Sequence, residues 1–522
     1  MGNDKNPRLD RTKPVPDARL EPYGGRLCAL RHTMNEREEE KMKSIKRIGI
    51  SASCALLLAL VSISAYTQEL TDREKEMMGV IEALKERVSA LEEKVATPRA
   101  EQPEAPLNDR VEALENRVTV GSTPEPNDFR VFWKNGLNME TTDGETKLKI
   151  GGRIQNDWFW FDQDRSLKRM ADQKDGSEFR RSRLYLSGTI YENINFKAQY
   201  DFAGGDADFK DVYLELANAP LVGNIQIGHF KEPFSLEELT SSKYITFMER
   251  ALPGVFAPSR NSGVMIHRAF LGEKNRERMT AALGFFRTSD DFGSSKDDGG
   301  YSGTIRVTGL PWYAVDGRKL LHLGASYTHR NPGDTIRIRQ RPEAHSAGHV
   351  VDTGEFDVKD LDSIVLETAL VYGPFSVQGE YYYNDINTRH AGNREFDGYY
   401  LQTSYLLTGE NRSYKNASGA FGGITPNRNF KLHGENRGWG AWEVALRYST
   451  IDLNDGRNSI LDRAFERNNQ IHGGEEDNVT VGLNWYLNPN TRIMWNYVHA
   501  NIDSDVYDGD LNIFQTRFQL AF

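Results

Sequence analysis

From residue 129 to residue 522, apolar and polar side chains alternate with a period of two along most of the chain. In NFKAQYDF (residues 195–202) and in VTVGLNWYLN (residues 479–488), every second residue is apolar. Successive side chains of an extended strand point to opposite faces, so each stretch predicts a strand with one apolar and one polar face. A water-soluble sheet has such strands, and so does a membrane β-barrel with lipid outside and a wet lumen inside.

The connections between strands and the end of the chain favour the membrane barrel. Short turns such as YENI (residues 191–194) alternate with long polar loops such as TSDDFGSSKDDGG (residues 288–300), an asymmetry typical of outer-membrane barrels. Aromatic residues near strand ends, for example Trp158, suit the girdles at the membrane interfaces. The final strand ends in Phe522, which is similar to the signal that the outer-membrane barrel assembly machinery recognises.

These features predict an all-β fold for residues 129–522, a transmembrane antiparallel β-barrel of about 16 strands that is wide enough for an aqueous channel. The mean hydropathy of −0.62 is that of a soluble chain. It does not argue against a barrel, because half of every spanning strand faces water. The expected partners are therefore outer-membrane lipid and, through the strand that ends at Phe522, the barrel assembly machinery.

The first 65 residues predict a targeting segment. A basic stretch at residues 42–47 precedes the apolar CALLLALVSISA (residues 54–65), which is shorter than the roughly 20 residues of a transmembrane helix. We interpret residues 42–65 as a signal peptide processed near its last residue, and residues 1–41 as an over-called extension. The alternative for the apolar stretch is a buried core helix. Both cysteines precede the cleavage point, so the mature chain would have no disulfide and no cysteine-based zinc site.

Residues 66–97 predict a short N-terminal coiled-coil helix on the periplasmic side, and residues 98–128 predict a Pro-rich linker with a second short heptad helix. Two or three heptads are marginally stable alone, so we expect them to self-associate. The alternative is an amphipathic helix packed on the next domain. The apolar residues of the first helix are spaced alternately by four and three: Met77, Ile81, Leu84, Val88, Leu91 and Val95.

Composition and motifs argue against several other functions. A net charge of −10 gives no reason to expect nucleic acid as a partner. His345 and His349 have the i, i+4 spacing of metal ligands but lack an adjacent glutamate, and no catalytic motif stands out. We therefore expect no metal, no cofactor and no enzymatic activity. The alternative from another class is a secreted β-rich carbohydrate-binding protein, which would not show heat-modifiable migration on gels or fractionate with outer membranes.

Several stretches resemble the phosphate-selective porin family (porins O and P), and together they extend over essentially all of residues 129–522. The resemblance implies an outer-membrane channel of a Gram-negative bacterium with 16 strands, usually a homotrimer. Small anions, with phosphate or polyphosphate-like anions expected among them, would diffuse through it passively. Many members have uncertain selectivity, so a general, weakly selective porin of the same fold remains an alternative. The stretches are FRRSRLYLSGTIYENINFKAQYDF (179–202), GHFKEPFSLEELTSSKYITFMER (228–250), TGENRSYKN (408–416), WEVALRYSTIDLND (442–455) and GLNWYLNPNTRIMWNYVH (482–499).

Arginines in TIRIRQR (residues 335–341) are the first candidates for anion binding. Alternation places Arg337, Arg339 and Arg341 on one face and the two isoleucines on the other. Arginine suits phosphate because its planar fork donates two hydrogen bonds and keeps its proton. The segment resembles the ladder of lumen arginines in the family's phosphate channels, which implies that its arginines face the channel and its isoleucines face lipid or neighbouring protein. The alternative is that carboxylates such as Glu343 or Asp334 neutralise the arginines.

Two further groups of cations are candidates for the lumen and its constriction. The strand beginning FRRSR has Arg181 and Arg183 on its polar face, and a second strand has the motif GGRIQND. The long segment of residues 231–262 is the best candidate for a loop that folds inward and narrows the channel. Its acidic residues would partly cancel the positive field, and two of its cations would share a face if it were helical. The candidates are Arg180, Arg181, Arg183, Arg153, Lys243, Arg250 and Arg260, and the acidic residues are Glu232, Glu237, Glu238 and Glu249.

Overall fold

The computed structural model describes residues 128–522, apart from 171, 274–275, 296–299, 391, 435–436, 456–470 and 505–507. The extension, the signal peptide, the coiled-coil helix and the heptad linker predicted for residues 1–127 lie outside the described residues. No helix in the described part is long and apolar enough to cross a membrane.

Strands dominate this part of the chain. A hairpin of β1 (Phe129–Trp133) and β2 (Leu137–Thr141) precedes the sixteen long strands that we find among the described residues. These are β3 (Lys147–Gln163), β4 (Gly176–Ile190), β5 (Ile194–Asp201), β6 (Asp208–Ala219), β7 (Gly223–Lys231), β8 (Arg260–Phe270), β9 (Met279–Arg287), β10 (Tyr301–Ala314), β11 (Lys319–Arg330), β12 (Asp360–Tyr372), β13 (Phe375–Asn387), β14 (Asn393–Leu406), β15 (Ala441–Asn454), β16 (His472–Asn488), β17 (Thr491–Asp503) and β18 (Asp508–Ala521).

The sixteen strands from β3 to β18 close into an antiparallel barrel. Each pairs with the next along the chain, and β18 returns to pair with β3, from Leu511 opposite Gln163 to Ala521 opposite Arg153. The hairpin adds to the sheet below this seam, where β2 pairs with the start of β3. The predicted all-β barrel of about 16 strands is confirmed.

The two faces of the strands explain why this sequence forms a barrel. On β18, Phe514, Phe518 and Leu520 are exposed on the outer face. Arg517 and its inward neighbours Gln515 and Gln519 are buried. An apolar face turned outward is stable only against lipid, and in a closed sheet the backbone groups of each strand pair with those of its two neighbours.

Short helices and strand pairs occur only in connections within the described residues. The helices are α1 (Arg165–Met170) and α2 (Leu236–Leu239), with single 3-10 turns at Leu252–Phe256, Val315–Gly317 and Asn416–Ser418. The two-residue pairs are Thr335–Ile336 with Phe356–Asp357, Arg339–Gln340 with Val351–Asp352, and Tyr414–Lys415 with Ala420–Phe421.

The connections at the two ends of the barrel differ in length. One end, which we name the turn end, has tight turns such as residues 191–193, 373–374 and 489–490. Outer-membrane barrels place such turns in the periplasm. The opposite end, the loop end, has the inward loop (residues 232–259) and the arginine loop (residues 331–359). The turn end has one long connection of its own, the turn-end segment (residues 407–440).

The arginine loop packs into the barrel interior through apolar side chains. Ile338 and Val351 belong to one buried cluster with Val498 and Ile513, which are on the inner faces of β17 and β18. The turn-end segment enters from the other side, where Arg306 of β10 donates a 2.8 Å hydrogen bond to the carbonyl of Gly419. Loops from both ends therefore occupy part of the lumen.

Candidate functional site

The inward loop is fixed to the barrel wall at the start of α2. Ser235 caps this helix through a 3.0 Å bond from the backbone N–H of Glu238 to its hydroxyl. The backbone N–H groups of Leu236 and Glu237 donate to the two carboxylate oxygens of Glu380, at 2.7 and 3.0 Å. Because these N–H groups have no partner inside the helix, a carboxylate on β13 satisfies them and holds the loop in place.

Further along, the inward loop reaches the far wall of the barrel. Arg492 of β17 donates to the carbonyl of Ile245 at 2.9 Å, and Asn484 of β16 donates to the carbonyl of Thr246 at 2.8 Å. The N–H of Met248 donates to Asn496 at 2.8 Å. The loop leaves β7 and crosses the interior to strands β16 and β17, so anything that passes through the lumen passes beside it.

Most of the candidate arginines are paired with a carboxylate. Arg180 makes two bonds with Glu249, at 2.9 and 3.0 Å, and the guanidinium of Arg181 lies 3.9 Å from the same carboxylate. Glu249 also accepts from Arg517, which itself pairs with Asp157 across the barrel seam. One acidic residue of the inward loop therefore neutralises part of the arginine group on β4.

Three other candidates form ion pairs that stabilise the wall and the loop. Arg183 pairs with Asp201 at 2.6 Å, and Arg260 pairs with Asp211 at 2.8 Å. Arg250 pairs with Glu238 at 3.0 Å and donates to three backbone carbonyls of the inward loop. Lys243 and Arg250 do not lie on a helix, because α2 ends at Leu239, before either residue, so the condition for a shared helical face is not met.

Arg153 and Lys243 belong to a group of cations of which all but one lack a carboxylate within 4 Å among the described residues. Arg153 donates to the hydroxyl of Ser242 at 2.6 Å, and the ammonium of Lys243 lies 5.0 Å from the ring centre of Tyr244. Lys415, from the turn-end segment, lies 5.0 Å from the same ring. We name Arg153, Lys243, Lys415, Lys149 and Lys197 the cation cluster; among the described residues only Lys197 has a carboxylate within 4 Å, Asp211.

The positive charges of the cation cluster affect the pKa of Lys243. Burial, as the largest cause, and the positive charges of Arg153, Lys415, Lys149 and Lys197 together lower this pKa to about 7. Burial also lowers the pKa of Lys415, with Lys197 as its next cause. A shift of this kind means that positive charge is concentrated where water screens it poorly, which favours a bound anion.

The segment TIRIRQR lies in the arginine loop and not in a barrel strand. Ile338 is buried against protein and does not face lipid. Arg337 pairs with Asp352, from Nε to Oδ1 at 2.8 Å, whereas the side chain of Arg339 is exposed. The two predicted neutralising carboxylates have other partners, since Glu343 bonds Arg447 and Asp334 pairs with Arg389.

The arginine loop nevertheless has a positive side. Arg341 lies within electrostatic reach of Arg180 and Arg339, and of the carboxylates Glu178 and Glu249. Burial lowers the pKa of His349 to about 4, with Arg341 and Arg339 as the next causes. His349 is therefore neutral at neutral pH. His345 bonds Glu178 at 2.8 Å, and no group of three or more His, Cys, Asp or Glu in the described residues is placed to hold a metal ion.

Three members of the cation cluster were not singled out from the sequence. Lys149 and Lys197 occur on the inward phase of β3 and β5, a signal that alternation gives but that many polar residues share. Lys415 lies in a connection without periodicity, and only the return of the turn-end segment into the barrel brings it to Tyr244.

Comparison with known proteins gives the chain several relatives. It is 28% identical to Porin O of Pseudomonas aeruginosa over 431 residues, 77% of this chain and 94% of that protein. It is 27% identical to an uncharacterised protein of Caulobacter vibrioides over 445 residues, 82% of this chain and 83% of that protein. An anion-selective porin from Comamonas acidovorans has a similar structure, with a TM-score of 0.46 and 14% identity over 72% of this chain and all of that one.

The family model described as "Phosphate-selective porin O and P" matches residues 148–522. This range begins within β3 and includes the rest of the barrel to the C-terminal residue. Porins are channels of the Gram-negative outer membrane, so membership indicates a channel and not an enzyme, and it confirms the outer membrane as the location. The chain belongs to the family of phosphate-selective porins O and P.

Proposed function

We propose that this porin passes small anions by passive diffusion, phosphate among them, and that the cation cluster gives the preference for anions. The observation that carries the proposal is the grouping of Lys243, Lys415 and Arg153 in the lumen, without a carboxylate within 4 Å of any of them among the described residues. The proposal also draws on the 28% identity to Porin O.

The cation cluster would act through its position. Lys243 is part of the inward loop and Lys415 is part of the turn-end segment, so the two lumen segments meet at Tyr244. An anion crossing there exchanges part of its hydration shell for ammonium and guanidinium donors. Cations are repelled at the same point, because low-dielectric protein on both sides strengthens the field.

The arginine loop would supply the positive charge at the entrance of the channel on the loop end. Arg339 and Arg341 lack a carboxylate within 4 Å among the described residues, and both act on His349 as positive charges. The loop belongs to the loop end and the cation cluster is closer to the tight turns. Anions entering from outside would meet the arginines first and the lysines later, and the arginine fork would favour phosphate over monovalent anions of similar size.

Single-channel recording in planar lipid bilayers tests the proposal. The variant Lys243→Gln/Lys415→Gln should lower the anion-over-cation permeability ratio by about threefold or more, since focused fields change local ion concentrations by at least that factor. The matched control is Lys319→Gln, a lysine at the turn end that lies over the ring of Tyr372 and outside the lumen. An unchanged reversal potential in the double variant would refute the role of the cluster.

Variants of the arginine loop separate charge from phosphate preference. Replacing Arg337, Arg339 and Arg341 together by alanine should weaken block by phosphate, whereas replacing them by lysine should keep most of the anion preference and lose part of the phosphate preference. If neither variant changes the block, phosphate recognition does not depend on this loop.

A weakly selective porin is the second candidate function. The observation that favours it is the neutralisation of Arg180, Arg183 and Arg260 by carboxylates, which leaves fewer unpaired charges along the lumen. This candidate predicts a reversal potential close to that of an unselective pore and no block by phosphate at concentrations that block a phosphate channel.

The assembly of the channel is part of the same proposal. Members of the family are usually homotrimers, and we propose the same state for this chain, with the strand that ends at Phe522 as the part recognised by the barrel assembly machinery. Cross-linking in native membranes tests the trimer. Replacing Phe522 by serine should reduce insertion into the outer membrane without changing the rest of the barrel.

A further inference from the structure

The hairpin before the barrel has an apolar face that continues the lipid-facing wall. Ile150 of β3 points outward and is exposed; it pairs with Leu137, which in turn pairs with Trp133. Paired residues in an antiparallel sheet share a face. Trp133 is 64% exposed, and Val131 and Phe129 are exposed on the same side. Three large apolar side chains in the hairpin are thus presented outward at the turn end, not toward the lumen.

A groove lies beside this hairpin on the outer surface. It has a volume of about 670 Å³, and its apolar walls include Trp133, Phe430, Leu520 and Phe522. Trp133 and Phe522 stack with their ring centres 6.1 Å apart. Lys431 is the one cation among the described residues that line the groove, which we name the rim groove.

The turn-end segment forms the opposite wall of the rim groove. The ring of Phe430 lies 4.9 Å from that of Trp485, whose indole N–H donates to the carbonyl of Trp439 at 2.7 Å. Trp485 stacks in turn on Trp442, with ring centres 5.0 Å apart. Trp442 and Trp485 are on the outer side of β15 and β16, so Phe430 and Trp439, which contact Trp485, lie against the outside of the barrel.

The exposed surface of this part of the segment combines apolar and basic side chains. Trp439 is 74% exposed and Leu432 is 60% exposed. Residues 428–440 include three basic residues, Arg428, Lys431 and Arg437, against one acidic residue. Tryptophan with lysine or arginine is the combination found where a membrane protein meets the headgroup layer.

We infer that the rim groove binds a phospholipid of the periplasmic leaflet. The acyl chains would lie against the aromatic walls and Leu520, which an inorganic anion could not use, and the phosphate would lie at Lys431. The wall is at the end of the barrel with tight turns, which outer-membrane proteins place toward the periplasm. The groove therefore opens at the boundary between the headgroup layer, where the lipid phosphate lies, and the hydrocarbon layer, where the acyl chains lie.

Native mass spectrometry of the folded full-length protein, titrated with phosphatidylglycerol, tests the site. Lys431→Ala should weaken binding of the first lipid by about fivefold, the effect of one basic residue at an anionic lipid surface. Trp133→Ala should weaken it to about the same extent, because the acyl chains lose an aromatic wall of the groove. Binding of a neutral diacylglycerol with the same chains should be weakened by Trp133→Ala but not by Lys431→Ala. Inorganic phosphate should not displace the lipid.

Matched controls come from the far side of the same end. Trp312 and Lys319 both lie beside the ring of Tyr372 on the outer surface, away from the rim groove. Trp312→Ala and Lys319→Ala should leave binding of the first lipid unchanged, and heat-modifiable migration shows that every variant is folded. Equal affinity in wild type and Lys431→Ala, or equal losses in the controls, would overturn the inference. Efficient cross-linking of Trp133→Cys between two protomers would overturn it too, since a second copy would then fill the groove.

Discussion

Lys243 has a charge that should respond to pH near neutrality, because burial and the other cations of the cluster lower its pKa to about 7. Below that pH the side chain is protonated and attracts anions; above it the side chain is neutral. The anion-over-cation permeability ratio should therefore fall as pH rises from about 6 to about 8, in contrast to an ordinary lysine, which stays charged over this range. Reversal potentials measured in bilayers at several pH values give the ratio.

Two substitutions at Lys243 serve as controls for this pH dependence. Lys243→Arg should keep a high ratio at every pH, because a guanidinium does not lose its proton in this range. Lys243→Gln should give a low ratio at every pH. If the slope with pH persisted in both variants, another group would be responsible.

Arg517 is a residue whose loss should destabilise the whole barrel. It is buried, pairs with Asp157 at 2.6 Å and with Glu249 at 2.7 Å, and so joins the seam to the inward loop. Arg517→Ala leaves the buried carboxylate of Asp157 without its ion-pair partner and removes one of the partners of Glu249, which should cost about 3–5 kcal/mol of unfolding free energy. Urea unfolding in lipid vesicles measures this change.

The exposed pair of Arg130 and Glu140, 2.9 Å apart, is the comparison for Arg517. Water screens this pair, so Arg130→Ala should leave the free energy of unfolding nearly unchanged. Similar effects of the two substitutions would mean that water reaches Arg517 more freely than its burial indicates.

At the scale of single elements, Glu380 is one of the wall residues that hold the inward loop. Glu380 accepts hydrogen bonds from two backbone N–H groups of α2, so Glu380→Ala leaves these two groups without their acceptor, while the Ser235 hydroxyl still contacts Tyr382 of the wall. We expect a looser loop, with larger single-channel conductance and more frequent fluctuations between current levels. Glu380→Gln keeps one oxygen acceptor and should fall between the wild type and the alanine variant.

Asn384→Ala is the control on the same strand. Asn384 points inward but bonds Ser363 and the carbonyl of Phe396, which are parts of the wall and not of a lumen segment. Its loss should leave conductance steady. An equally noisy channel in this variant would trace the fluctuations to β13 and not to the loop.

At the scale of the whole molecule, every strand of the closed barrel lies within residues 147–521. A chain without residues 66–127 should therefore still fold into lipid vesicles and show heat-modifiable migration on gels. If the predicted heptads self-associate, this shortened chain should form fewer oligomers than the full chain under native electrophoresis. Unchanged oligomers would assign subunit contacts to the barrel.

The barrel was predictable because alternation is a local property. Each strand needs an apolar face for lipid and a polar face for the lumen. Stretches such as residues 195–202 show both faces directly in their alternation of apolar and polar residues. TIRIRQR shows why alternation is not enough to locate a site. It has a buried side at Ile338 and a charged side at Arg339, as a barrel strand would. Its buried side, however, packs against protein inside the barrel and not against lipid. Alternation shows that a segment has an apolar face but does not show what covers that face.

The cation cluster could not be predicted from the sequence, for a different reason. Lys149, Lys197, Lys243 and Lys415 come from four distant parts of the chain, and their proximity depends on strand register and on two connections that turn inward. The inward loop was predictable from its length. The entry of the turn-end segment was not, since tight turns are the rule at that end.

The seam between β18 and β3 has a consequence for the time course of folding. Arg517 and Asp157 are 360 positions apart in the chain, and their bond forms only when the last strand meets the first. Bringing such distant residues together costs chain entropy and is slow relative to local pairing. Until then the free edge of β3 exposes unpaired N–H and C=O groups that another chain could pair with. The interval between formation of β3 and docking of Leu511 opposite Gln163 is therefore the period in which aggregation competes with closure.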